Sequence, residues 1–298
     1  MSAPKEDAKW PRAAHWLKPF GDEANIDVAV YGVCASQTSI SPTGAHTTPD
    51  AIRGALLRYS TYSWAHDIDL NELVARDFGN NFHPDSPQGE EQTKHLAKQA
   101  ANASQLAIAL GGDNSVTFAA MAGGHNLAKS GLITFDAHHD LRDGVSNGSP
   151  VRRLVEAGLH GNKIVQIGIN DFSNSPQYAK LAKDLGILVI TRDQLRRQTP
   201  QATWQQAIDF LGNVEAIHVD FDVDVCDRSV VPACPAAAPG GISADELRQF
   251  AFLAGKTNTV SSMDITEIDA TADSADQRTI RLAALLILEA SSGVAKRA

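Results

Sequence analysis

Short apolar runs alternate with longer amphipathic stretches from residue 26 to the end of the chain. Residues 26–33, 105–112, 131–138, 163–170, 186–191, 214–224 and 259–266 are strand-length runs dense in Val, Ile and Leu. They lack strict polar alternation, so both faces are expected to be covered, as in a parallel sheet. Between them lie helical patterns. Residues 48–60 open with Thr48 as N-cap and Pro49 at the first helical position, and residues 149–159 repeat the device with Ser149 and Pro150. Residues 115–130, 243–255 and 276–290 also read as helices. Strand and helix alternating about eight times predict an α/β fold whose mostly parallel, about eight-stranded sheet is covered by helices. No linker, repeat or low-complexity segment interrupts the pattern. Residues 21–298 are therefore expected to form a single domain, preceded by an N-terminal arm over residues 1–20.

Composition narrows the function classes. The chain has 298 residues, 43% hydrophobic and 20% charged, with a net charge of −9. That charge argues against nucleic acid and against anionic membranes as partners. No apolar run approaches the ~20 residues needed to span a bilayer, and the opening MSAPKEDAKWPRAAHW has no apolar leader. Cys34, Cys226 and Cys234 form no CxxC pair, which argues against a disulfide framework or a zinc–thiolate site. A soluble cytoplasmic protein is expected.

In parallel sheets, ligands bind at the carboxyl ends of the strands. Four strand ends here carry acids: LGGDN, FDAHHD, HVDFDVDVCD and MDITEID. In DAHHD, positions i, i+2 and i+4 of an extended segment put Asp136, His138 and Asp140 on one side. Two carboxylates and an imidazole make a divalent-metal half-site that suits manganese, iron, nickel or zinc. Taken alone, the motif fits a helix N-cap with surface acids equally well. Asp222 and Asp224 are again i and i+2, and Asp220 continues the register into the strand. Like charges so close need counter-charge, which Arg228 or, more simply, a bound cation can supply. Together these ligands exceed what one metal needs. Two ions with a bridging water imply hydrolysis at carbon or phosphorus. A phosphatase lacks support, because no glycine-rich phosphate cradle or basic cluster accompanies the strand ends.

The set GGDNS, DAHHD, SNGSP, DFDVDVCD and DITEID, in this order from about residue 44 to the C-terminal helix, resembles the ureohydrolase family of arginases, agmatinases, guanidinobutyrases and formimidoylglutamases. The resemblance implies a three-layer α/β/α, arginase-like domain, a binuclear Mn2+ centre, hydrolysis of a C–N bond in a guanidine or amidine, and a homo-oligomer, commonly a trimer or hexamer. It places Asp136, His138, Asp140, Asp222 and Asp224 at metal-ligand positions. It also gives Asp140 the proton transfer to the leaving nitrogen. Glu267 falls where the family pairs a carboxylate with the substrate amidinium, a match between a planar fork and two oxygens.

Three departures stand out. The family's GGDHS reads GGDNS here, so Asn114 replaces an imidazole ligand with a weaker amide oxygen, and the second of two Mn2+ sites is expected to be the weaker. Asp220 stands where a serine often precedes the aspartate pair. Asn147 in SNGSP replaces a histidine proposed to shuttle protons, which argues against arginase-type handling of the leaving amine. His139, expected to face away, reads as structural. Arg142 lies two positions past Asp140, in the loop that reads the far end of the substrate. It would repel the ammonium of agmatine and pair with a carboxylate. Alternatively, it is bound by Asp140 or Asp143. With DAHHDLR resembling formimidoylglutamases, the expected substrate is an acidic amidine, N-formimidoyl-L-glutamate, held by Arg142, Asn147, Ser149 and Glu267. An agmatinase or guanidinobutyrase is the alternative enzyme, and a metal-impaired, non-catalytic binding protein the alternative of another class.

Overall fold

The computed structural model describes residues 7–21, 23 and 25–297. Its strands are β1 (Lys18–Pro19), β2 (Ile26–Val33), β3 (Tyr62–Ser63), β4 (Ile68–Asp69), β5 (Ala75–Asn81), β6 (Ser104–Gly111), β7 (Ser130–Phe135), β8 (Ile164–Ile169), β9 (Leu188–Thr191), β10 (Ala216–Asp222) and β11 (Val260–Thr266). Nine of them form one sheet in the order β1-β5-β2-β6-β11-β10-β7-β8-β9, with every neighbouring pair parallel. β3 and β4 form a separate antiparallel hairpin.

Helices cover both faces of the sheet. One face packs against Thr48–Ala55, Pro200–Leu211, Ala244–Lys256 and Arg278–Val294, whose apolar residues share the largest core cluster with Val28, Ile133, Phe221 and Ile265. The other face is covered by Pro87–Ala103, Val116–Gly124, Pro150–Glu156 and Pro176–Asp184. This is the expected three-layer α/β/α arrangement.

Besides the short β3–β4 hairpin, β5 and three helices were not foreseen. β5 reads ARDFGNN, too polar for an apolar-run search, and is held by Arg53, which pairs with Asp77 at 2.7 Å. The helices Pro87–Ala103 and Pro176–Asp184 bury thin stripes of small residues, and Pro200–Leu211 buries only Thr203, Trp204, Ala207 and Leu211. They are marked instead at their starts, where Ser86, Ser175 and Thr199 cap them and a proline follows. The segment expected as an arm also joins the body between residues 13 and 19. Ala13 and Trp16 are buried in the core, and Lys18–Pro19 pairs with Arg76 and Asp77 at the sheet edge.

The sheet positions the site through its alternation. Phe135 and Phe221 occupy one register position on β7 and β10 and stack with centroids 4.9 Å apart. Phe250 packs against Phe135 at 4.6 Å. With these rings pinned to one face, the residue that follows each, Asp136 just past β7 and Asp222 at the end of β10, is turned to the opposite face.

Candidate metal centre and substrate pocket

The acidic strand ends converge because β6, β11, β10 and β7 are consecutive neighbours in the sheet. Asn114 follows β6, Asp136 to Asp140 follow β7, Asp222 ends β10 with Asp224 in the turn after it, and Glu267 follows β11. Asp136, Asp140, Asp222, Asp224 and Glu267 are all buried. Asp140 and Glu267 have φ of +52° and +63°, the left-handed region. Such a conformation costs a non-glycine residue about 1–2 kcal/mol, and residues held in it gather at functional sites. Here they are over-determined. Glu267 N donates to the Gly112 carbonyl at 3.0 Å, and the Asp140 carbonyl accepts from Arg152 N at 3.1 Å.

Asp136, His138 and Asp224 each turn one ligand atom to a common point, these atoms lying within 4.8 Å of one another. His138 Nδ1 is 2.7 Å from Asp224 Oδ2 and 3.4 Å from Asp136 Oδ1. Asp224 Oδ1 is fixed by Ala137 N at 2.9 Å, and Asp222 Oδ1 by Asp224 N at 2.8 Å. Asp136 Oδ2 is buried without a partner. Burial and neighbouring carboxylates push Asp136 and Asp222 well above the usual carboxylate range. Burial resists a charge on His138, yet Asp224 raises its imidazole to about 10. The cluster thus favours positive charge between His138 and Asp224, which a cation can supply. An orphaned buried oxygen, several carboxylates and an imidazole form a donor set suited to manganese.

Asn114 is placed beside this set, with its carboxamide turned. Nδ2 donates to Asp140 Oδ2 at 2.6 Å, while Oδ1 accepts from Thr117 Oγ1 at 2.8 Å and Thr266 Oγ1 at 2.9 Å. The oxygen expected as a ligand is therefore engaged by two hydroxyls, and the side chain acts as a donor to Asp140. Nothing in a one-dimensional reading pairs Thr117 and Thr266 with residue 114.

A pocket of about 330 Å³ opens over the centre, bordered by His138, Asp140, Arg142, Asn147, Asp222 and Glu267 among others. Glu267 Oε1 accepts from Asn114 N at 2.7 Å and Asn147 Nδ2 at 2.8 Å. No described residue donates to Oε2. Burial lifts this carboxyl to about 8 despite those two bonds. Arg142 is exposed at the pocket wall, and its guanidinium pairs with neither Asp140 nor Asp143. Asp143 is instead taken by Arg152.

Ser149 is not brought to the pocket. It is fully buried, and its hydroxyl both donates to the Ser146 carbonyl and accepts from Ser146 N, each at 2.9 Å. It closes the turn before its helix. His139 borders the pocket, but its Nδ1 is tied to Gln166 Oε1 at 2.7 Å, as suits a structural residue. Ile40, Ser41, Asn174 and Tyr178 also line the wall, and no charged pattern marked them in the sequence. A larger groove of about 730 Å³ lies between the β3–β4 hairpin and the helices Ala244–Lys256 and Arg278–Val294. None of the acidic strand ends borders it.

The described residues contain no helix long and apolar enough to cross a membrane. An arginase-family model matches residues 26–292. The chain is 37% identical to a formimidoylglutamase of Halalkalibacterium halodurans, covering 98% of this chain and 95% of that one. It is 34% identical to the Bacillus subtilis formimidoylglutamase over 89% of this chain and 86% of that one. The crystal structure of the B. subtilis enzyme superposes with a TM-score of 0.92 at 29% identity, covering 99% of this chain and 95% of the other. A Trypanosoma cruzi formiminoglutamase solved with manganese superposes at 0.83 and 26% identity over 92% and 95%. By motif order, by the parallel sheet that gathers those motifs, and by these likenesses, the chain belongs to the arginase family.

Proposed function

We infer that this chain is a metal-dependent amidine hydrolase that converts N-formimidoyl-L-glutamate and water to L-glutamate and formamide, a step of histidine degradation. The observation that carries this reading is the pairing, across one pocket, of a buried carboxylate with one oxygen that no described residue donates to and a guanidinium that pairs with no described acid. Glu267 Oε2 is available to an amidinium N–H, and Arg142 to a carboxylate at the other end.

Asp136, His138, Asp140, Asp222 and Asp224 would hold manganese, with two ions per chain the expected number. The metal supplies Lewis acidity, which polarises water for attack on the formimidoyl carbon and offsets the gathered negative charge. Asp140 is suited to the proton transfer. Burial raises its carboxyl to about 7, close to neutrality, and Asn114 holds Oδ2, which fixes the carboxyl plane. It takes a proton from the attacking water and gives it to the glutamate nitrogen as the C–N bond breaks. Glu267 keeps the amidinium oriented during this transfer. The reading extends to a homo-oligomer of three or six chains, as the family commonly forms, and to a cytoplasmic location, which suits three buried free thiols.

Manganese-loaded protein incubated with N-formimidoyl-L-glutamate should release glutamate and formamide in equal amounts by proton NMR. Glu267→Gln should remove most of that turnover, because a neutral amide lacks the charge that holds the amidinium. Absence of both products from the loaded wild-type protein would overturn the reading.

A further inference from the structure

Among the described residues, Ile40 and Ser41 line the pocket, and the stretch that carries them, residues 37 to 42, is anchored by Asn147 through both its backbone and its side chain. Asn147 N donates to the Thr38 carbonyl at 3.3 Å. Asn147 Oδ1 accepts from Ile40 N at 3.0 Å, and Nδ2 reaches Ser39 Oγ at 3.5 Å. That same Nδ2 donates to Glu267 Oε1 at 2.8 Å. Outside this stretch, the next anchors are Ser36 N on Asp85 and Gly44 N on Asp269. The neighbouring residue continues the contact. A Cβ added at Gly148 would meet Arg142 Cδ at 2.7 Å and Ile40 Cδ1 at 3.1 Å, so the bare glycine is what lets both side chains seat there.

We propose that Asn147 is a positioning residue which joins the 38–41 segment to Glu267, so that one carboxamide sets both the pocket mouth and the carboxylate that receives the substrate. It does this without touching the reacting atoms. The two halves of the carboxamide do different work. Its oxygen holds the segment through Ile40 N, and its NH2 holds Glu267 Oε1 and leaves Oε2 to the substrate. An asparagine suits this place because the role needs an acceptor and a donor on one short planar group. The inference rests on the proposed amidine hydrolysis for its kinetic arm and is independent of it for its structural arm.

The test uses the full-length, manganese-loaded protein and two variants. Amide hydrogen exchange is followed in peptides covering residues 37–42, with peptides from β7 and β10 as internal controls. In Asn147→Ala, exchange at 37–42 should quicken about 10-fold or more while the controls are unchanged, because the anchoring acceptor is gone. KM for N-formimidoyl-L-glutamate should rise by about 10-fold or more. Asn147→Asp keeps the acceptor for Ile40 and loses the donor to Glu267. Exchange at 37–42 should then stay slow while KM rises and kcat falls. Raised KM with unchanged exchange in Asn147→Ala would make Asn147 a direct substrate contact and overturn the proposal. Faster exchange with unchanged KM would uncouple the segment from recognition and overturn it equally. If wild-type protein does not hydrolyse the amidine at all, the functional reading fails, and the exchange of the two variants still decides whether Asn147 holds the segment.

Discussion

Asn114 Nδ2 donates to Asp140 Oδ2 across 2.6 Å, so the residue that replaces an expected imidazole ligand is a donor to another expected ligand. Its oxygen is held by Thr117 and Thr266. An ion near Asp140 therefore meets an NH2 group from this side. Asn114→His would replace that donor with a nitrogen lone pair. It should tighten binding of a second manganese ion in a metal titration followed by elemental analysis. The two threonine hydroxyls would lose their acceptor, which should lower thermal stability by about 1–3 kcal/mol. Equal stoichiometry and affinity in both proteins would mean that residue 114 does not face the metal.

In the proposed function Arg142 takes a substrate carboxylate, and that role is open to test. Arg142→Ala should mainly raise KM for the acidic amidine. Losing a charge-assisted hydrogen bond costs roughly 1.5–3 kcal/mol, or about 10- to 150-fold. The contact is remote from the reacting carbon and similar in ground and transition states, so kcat should fall less. Any residual turnover of agmatine should be unharmed or improved, since a repulsive cation is gone. Loss of kcat at constant KM for every substrate would instead place Arg142 in support of the loop.

Metal-free protein should lose stability as pH rises. Burial lifts Asp113 to about 6, Asp140 to about 7 and Glu267 to about 8. In the folded chain these carboxyls keep protons that the unfolded chain has already released, so the folded state binds more protons and unfolding becomes easier with rising pH. His138 acts in the same direction. Raised to about 10 by Asp224 against the opposing effect of burial, it contributes fully below its unfolded value and loses that contribution through its folded one. His125, lowered to about 3 by burial, acts in the opposite direction but only below about pH 6.5. From about pH 6.5 to 8.5, the melting temperature of chelator-treated protein should therefore fall. Manganese should reduce the slope, because a cation replaces the protons. A flat or rising profile for the metal-free protein would contradict the assigned burial of these groups.

Much of the sheet was legible because β2, β6, β7, β8, β10 and β11 are buried on both faces and read as apolar runs. β5 was not, since its polar residues are neutralised by Arg53 from a distant helix. The positions of Asp136, His138, Asp222 and Asp224 follow from period-two spacing at a strand end, a local property. The orientation of Asn114 does not. It depends on Thr266, 152 positions away, and on Thr117 one helical turn on. Ser149 was expected to hold the substrate, yet the turn it closes points its hydroxyl back to Ser146. Side-chain partners set by tertiary contacts are invisible to spacing, and the errors fall there.

The most direct measurement of the central claim is kcat/KM of the manganese-loaded protein for N-formimidoyl-L-glutamate, agmatine, guanidinobutyrate and arginine, in parallel. With Glu267 taking the amidinium and Arg142 a carboxylate, N-formimidoyl-L-glutamate should exceed agmatine and arginine by at least the roughly 10- to 150-fold of one charge-assisted contact. Turnover of agmatine or arginine far above that of N-formimidoyl-L-glutamate would contradict the account, leaving the family membership intact and the assignment of Arg142 wrong.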